Sequence, residues 1–341
     1  MDSDNMNIVT GNKVYEEIKG KRTIYVLLSG TTEISLLDGV SAAGEKPELT
    51  PLTPPLDSEI IFTGKCKSYD VMPMTDNGIP TPAIITRASN EISKIDTLIV
   101  DAGLKEYPKI PFIYTGLGSA NNFTERKALD RYNEAVSFGE YIGKILDGKY
   151  DYILLAESVP GGTTTAYAVL SALNINYMTS SSMRDSPDNI KRELIKKAFK
   201  RIEPDHNPEH AIEQYGDYMM ALSIGISRKV RKSTLLFSGG TQMLNVYLLD
   251  QMINKTKDKR YIFTTKYIMN DKKELMEKIG GDNIIYSNMD FSNIDGLNYY
   301  EQGYVKEGTG FGATFGIAYL NCGNVDYIYD EIKKVYASFL R

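Results

Sequence analysis

Histidine is nearly missing: the 341 residues contain only His206 and His210. A Ser-His-Asp or Cys-His mechanism would have to use one of these two. Spaced four apart beside Asp205 and Glu209, they have the look of a metal pair. Pro204 and Pro208 interrupt the stretch, however, and favour a solvated loop leading into a helix. Acid–base chemistry is therefore sought among carboxylates. Cysteine is equally scarce. Cys66 and Cys322 cannot build a disulfide framework or a four-thiolate zinc site, and they read as buried thiols of a reducing compartment. No basic block exists: 39 Lys+Arg stand against 44 Asp+Glu, a net charge of −5, which argues against nucleic acid as a partner. No apolar run approaches the roughly 20 residues that cross a bilayer. The polar start Met-Asp-Ser-Asp-Asn is not a secretory signal, so a cytoplasmic protein without a membrane partner is expected.

The chain does contain a regular alternation of short apolar runs and amphipathic stretches. Strands are expected at 23–28, 97–101, 110–114, 152–156, 176–179, 233–237, 260–264 and 283–286. Helices are expected at 124–146, 163–173, 186–199, 208–228, 241–253 and 271–279, with two more after 309, parted near Gly323. This order implies a Rossmann-like α/β fold, a mostly parallel sheet with helices on both faces. Residues 23–290 form the expected large domain with the ligand cleft, and 1–22 with 291–341 a smaller, mainly helical part. Between 38 and 90 the pattern fails. Four prolines between Lys46 and Pro55 suppress helix and central strand alike, and Asp76-Asn-Gly is turn-rich, so an ordered, irregular wall is expected.

Ligands of such sheets bind beyond the carboxyl ends of the strands. Two post-strand loops have the glycines for it. In Glu157-Ser-Val-Pro-Gly161-Gly162-Thr163-Thr164 a strand runs into a Gly-Gly turn and a hydroxyl-rich helix start, where amides and dipole favour an anion such as a phosphate. A plain Thr163 helix cap fits the same residues. Gly239-Gly240-Thr241 repeats the unit, and tight turn packing explains it equally well. No Gly-x-x-x-x-Gly-Lys-Ser/Thr loop is present, and no acidic pair precedes Gly161. A ligand with one phosphate and no metal fits better. The third signal is Lys306-Glu307-Gly308-Thr309-Gly310, a carboxylate ahead of alternating glycines and an apolar helix. Desolvation there would make Glu307 a proton acceptor, and a first-turn Glu answering the helix dipole is the simpler alternative.

Together these segments resemble the nicotinate-nucleotide–dimethylbenzimidazole phosphoribosyltransferases of the cobamide pathway, in particular their archaeal and cyanobacterial branch. The resemblance runs through Leu36 to Gly44, Gly78-Ile-Pro-Thr-Pro-Ala83, Val100-Asp-Ala-Gly103, Ser180-Ser-Ser-Met183, Gly239-Gly-Thr-Gln-Met243 and Glu307-Gly-Thr-Gly310. In the bacterial enzymes a Glu-Gly-Ser/Thr-Gly motif supplies the catalytic glutamate, which Glu307 matches. Their phosphate loop is matched at Glu157, Gly161, Thr163 and Thr164. An arginine three residues before their glutamate is Tyr304 here, and Lys306 is the candidate replacement.

The resemblance implies transfer of phosphoribose from nicotinate mononucleotide, a substrate rather than a cofactor, to a benzimidazole-like or purine base. Glu307 would act as base. Glu157 would bind ribose, and Gly161, Gly162, Thr163, Thr164, Lys306, Gly308, Thr309 and Gly310 would hold phosphate and ribose. Gly239, Gly240 and Thr241 form the second glycine loop. Met72, Met74 and Ile79 are expected against the acceptor ring. A homodimer is implied as well. A glycosyltransferase with another acceptor and a non-catalytic nucleotide-binding protein are the alternatives.

Overall fold

The computed structural model describes residues 7–44, 47–69, 71–75, 77–256 and 258–340. The polar start at 1–5, Lys46 and Asp76, all used in the sequence reading, lie outside the described residues. The chain opens with β1 (Val9–Gly11), β2 (Thr23–Ser29), α1 (Thr53–Thr63), α2 (Ala83–Ser93) and β3 (Asp96–Asp101). It continues through α3 (Tyr132–Leu146), β4 (Tyr152–Ser158), α4 (Gly162–Ala172), α5 (Asp188–Arg201), α6 (Pro208–Tyr215) and α7 (Tyr218–Lys229). Then follow β5 (Thr234–Ser238), α8 (Thr241–Ile253), β6 (Arg260–Thr265), α9 (Lys266–Gly280) and β7 (Ile284–Ser287). Two helices close it, α10 (Phe311–Cys322) and α11 (Val325–Ala337).

The seven strands form one sheet in the order β1-β7-β6-β5-β4-β2-β3, parallel except for β1 against β7. Both faces are covered, which is why the strand sequences are continuously apolar. Alternate residues serve opposite cores: Val26, Leu28, Ile153 and Leu155 pack on one side with α3 to α8. Tyr25, Leu27, Leu154 and Ala156 pack on the other with α1, α2, α10 and α11. The expected α/β architecture is present. β1, inside the 1–22 stretch grouped above with the helical part, is an edge strand of the sheet.

Several elements differ from expectation for local reasons. Residues 110–114 make only a bridge, Val100 to Ile113, because Pro111 offers no amide for a ladder. Residues 176–179 are irregular, and the Thr179 and Ser180 carbonyls accept hydrogen bonds from Lys191 Nζ instead of from a strand. The 208–228 helix is two, divided at Gly216, with Asp217 Oδ1 capping α7 through the Met220 amide at 3.1 Å. The proline-rich stretch does contain helix. Pro54 and Pro55 sit in the first turn of α1, where missing amides cost nothing, and α2 follows Pro82 in the same way.

Chain order leaves β2 for β3 on one side and returns to β4 on the other. The reversal opens a crevice at the carboxyl ends of β2 and β4, where Leu28 pairs with Glu157 and Ser29 with Ser158.

Candidate active site

An open cleft with a cavity volume of about 130 Å³ lies at that crevice. Its floor is the end of β4 and the start of α4: Glu157, Ser158, Gly161 and Thr163. One wall is Pro73 to Thr75 with Ile79 to Pro82, and another is Val305 with Glu307, Gly308 and Thr309. A smaller chamber of about 30 Å³ adjoins it and shares Glu157, Thr163, Ser181, Ser182, Gln242 and Glu307 as walls. Ser180, Gly240, Thr241 and Lys306 complete the chamber, and Lys306 is its one cationic side chain among the described residues.

Glu307 is 9% exposed. Its Oε1 accepts the Gly312 amide at 2.8 Å, and its Oε2 is buried with no hydrogen-bond partner among the described residues. Burial pushes this carboxyl up to about 8. The Gly312 amide opposes the rise, the charge of Glu157 adds to it, and the Gly308 and Gly310 amides oppose it again. Glu157 is 4% exposed and accepts the Val159 amide at 3.0 Å. Burial raises it also to about 8, with that amide opposing and the charges of Asp217 and Asp57 adding. Asp57, one turn into α1, is raised by burial to about 6 although Thr81 Oγ1 and Ser158 Oγ donate to it at 2.6 and 2.8 Å. Among the described residues no group of three carboxylate, histidine or cysteine side chains is placed to hold a metal ion.

The glycines have different duties. Gly161 adopts φ +77°, and a Cβ there would stand 2.6 Å from Thr32 Oγ1. At Gly162 a Cβ would collide with the Gln242 side-chain amide, so this glycine makes room for a protein group rather than facing the cleft. The Gly162 amide is donated to the Val159 carbonyl, and the Thr164 and Thr165 amides to Gly161. Thr163 reaches both chambers, whereas Thr164 is fully buried and turns into the core. Gly239 and Gly240 pack against Glu307: a Cβ on Gly240 would stand 3.5 Å from that of Glu307. Gly308 and Thr309 line the cleft, and Gly310, at φ +68°, turns the chain into α10 behind them.

Lys306 Nζ donates to the Ser181 and Met183 carbonyls at 2.8 and 3.0 Å, and burial lowers its basicity. Tyr304 packs edge-on against Tyr299. Of the three residues expected on the acceptor wall, only Met74 keeps exposed surface at the cleft; Ile79, fully buried, backs the wall from the core, and Met72 is buried in the same core. Asp57, Thr81, Ser158, Ser181, Ser182 and Gln242 line the site without a role assigned from sequence, and of these only Asp57 lies outside the motifs read there. The prolines at the start of α1 were the available signal for Asp57, since a helix beginning there carries residue 57 one turn in.

No family model matches the chain. It is 46% identical over 327 residues to a UPF0284 protein of Thermoplasma volcanium, covering 95% of this chain and 96% of that relative. It is 38% identical over 310 residues to a UPF0284 protein of Thermococcus kodakarensis, covering 87% and 92%. The chain belongs to the UPF0284 family. This UPF0284 fold is similar to the crystal structure of CobT from Thermus thermophilus, with a TM-score of 0.62 and 15% identity over 91% of this chain and 84% of that one. A crystal structure of nicotinate-nucleotide-dimethylbenzimidazole phosphoribosyltransferase from the same organism gives the same TM-score and identity, covering 83% of its chain. The family resemblance read from the motifs is thus matched in fold, and the UPF0284 chain carries its own cluster of carboxyls at the crevice. Among the described residues no helix is long and apolar enough to cross a membrane.

Proposed function

We propose that this UPF0284 chain transfers phosphoribose from nicotinate mononucleotide to a nitrogen of a benzimidazole-like or purine base, releasing nicotinate. The observation that carries the reading is the meeting of Glu307, Glu157 and Thr163 in one cleft. The chamber beside it combines Lys306 with the starts of α4 and α8. A phosphate belongs at that end, where amides and dipoles favour anions. The ring belongs at the other end, against Met74.

No Lys, Arg or His lines the main cleft among the described residues, while Asp57, Glu157 and Glu307 do. That polarity suits a cationic nicotinate ring and the oxocarbenium charge that grows as it departs. The C1′–N bond breaks with its electron pair going to the pyridine nitrogen. A ring nitrogen of the acceptor forms the new C1′–N bond, and Glu307 Oε2 takes the proton from the acceptor's other nitrogen. Glu157 accepts hydrogen bonds from ribose hydroxyls and orients the carbon under attack. The protein acts in the cytoplasm as a homodimer and supplies the nucleotide part of a cobamide.

The test is product formation from nicotinate mononucleotide with benzimidazoles and purines, read by mass spectrometry. An α-riboside phosphate and free nicotinate are expected. Nucleotide binding without product would leave a binding protein, and product from a different acceptor class would make it another glycosyltransferase.

A further inference from the structure

We propose that Asp57 is a specificity-determining residue, which accepts a hydrogen bond from an exocyclic N–H or O–H of the acceptor ring and so selects amino- or hydroxy-substituted azoles over alkylated ones. The proposal rests on the transfer reading above and adds to it the chemical class of acceptor.

Asp57 lines the cleft and is 3% exposed. Each of its oxygens receives one hydroxyl, Thr81 Oγ1 on Oδ1 and Ser158 Oγ on Oδ2. A carboxylate accepts about four hydrogen bonds, so each oxygen retains capacity. No Lys, Arg or His stands beside it in the cleft among the described residues. The nearest tyrosine hydroxyls are already spent: Tyr25 donates to the Thr309 carbonyl at 2.7 Å and Tyr300 to the Pro80 carbonyl at 2.9 Å. A buried carboxyl so poorly compensated is costly unless a donor arrives with the ligand.

Its placement decides which part of the ligand brings that donor. The two stretches of this wall, Pro73 to Thr75 and Ile79 to Pro82, are joined by Thr75 N–H to the Ile79 carbonyl and Thr81 N–H to the Pro73 carbonyl, at 3.0 and 3.1 Å. Met74, backed by the buried Ile79, gives it an apolar surface for a flat ring. Thr81 ties this wall to Asp57, and the next residue, Pro82, packs against Gly308 beside Glu307. The two carboxyls therefore flank one wall. Glu307 carries the second, independent sign of a missing ligand group, because its Oε2 is nine-tenths buried and unpartnered. A ring lying on the wall with one nitrogen at Glu307 turns another edge toward Asp57.

The experiment compares isosteric acceptors that differ in the donor alone: adenine against 6-methylpurine, and 5-hydroxybenzimidazole against 5-methylbenzimidazole. The unaltered full-length chain should use the donor-bearing member at least about ten-fold better in kcat/KM. In Asp57→Ala that ratio should fall about ten-fold, and Asp57→Asn, which keeps one acceptor oxygen, should fall in between. Equal use of both members by the unaltered protein, or a ratio that Asp57→Ala does not move, would overturn the proposal. If no acceptor yields product, the transfer reading is what fails. Calorimetry of the same ring pairs binding to the unaltered protein then decides the role of Asp57, with equal affinities counting against it. The comparison in the unaltered protein requires no variant to fold.

Discussion

The Thr309 amide donates to the Glu157 carbonyl at 3.0 Å and fastens the loop that carries Glu307 to the end of the strand that carries Glu157. Thr309 Oγ1 is in turn held by Thr86 Oγ1 at 2.8 Å, and its carbonyl by the Tyr25 hydroxyl. Two carboxyls from distant parts of the chain are thereby fixed on the same cleft without touching through their own side chains. Burial raises the Glu307 carboxyl, and the charge of Glu157 adds to that rise.

Replacing Glu307 by Gln removes the proton acceptor and keeps a similar shape. Turnover should drop by about 10²-fold or more, while the affinity for nicotinate mononucleotide stays within a few-fold. Steady-state rates with calorimetry on the same preparation test this, and near-normal turnover would remove Glu307 from its role.

The raised carboxyls make both activity and stability depend on pH. As a base Glu307 must be ionised, so kcat/KM should climb through the neutral range toward an apparent pKa near 8. Stability runs the other way. Glu157 and Glu307 hold their protons in the folded chain up to about 8, while the unfolded chain releases them near 4.5. The unfolded state binds fewer protons between those values, so ligand-free stability should fall as pH rises from about 5 to 8. Thermal melts across that range check the sign, and Glu307→Gln should flatten the slope.

The Gly162 site gives a prediction with a built-in rescue. An alanine there should displace Gln242, whose amide occupies the space above the glycine, and weaken nucleotide binding about ten-fold or more. Shortening the obstacle with Gln242→Ala in the Gly162→Ala background should recover much of the affinity, as calorimetry would show. No recovery would mean that the backbone itself, rather than Gln242, sets the constraint.

Lys306→Met keeps the side-chain length and removes the charge and both donors to the 181–183 loop. KM for nicotinate mononucleotide should rise about ten-fold or more, with a smaller effect on the acceptor KM, if the phosphate lies in the chamber Lys306 lines. Equal effects on both substrates would place the phosphate elsewhere.

The amino-acid pattern alone determined the six parallel strands β2 to β7 and the glycine loops after β4 and β5, but not the edge strand β1. Strands buried on both faces need unbroken apolar runs, and Gly-Gly turns after β4 and β5 mark where chain leaves a strand for a helix without side-chain room. These are local requirements and can be read residue by residue. Which side chains face the cleft was decided only by tertiary packing. Thr163 and Thr164 are neighbours with the same hydroxyl, yet helix rotation sends one to the cleft and the other into the core. Met72 and Met74 part company because one packs beneath α1 and α2. Asp57 becomes a cleft residue through Thr81 and Ser158, partners far from it in sequence, and no local propensity encodes contacts of that range.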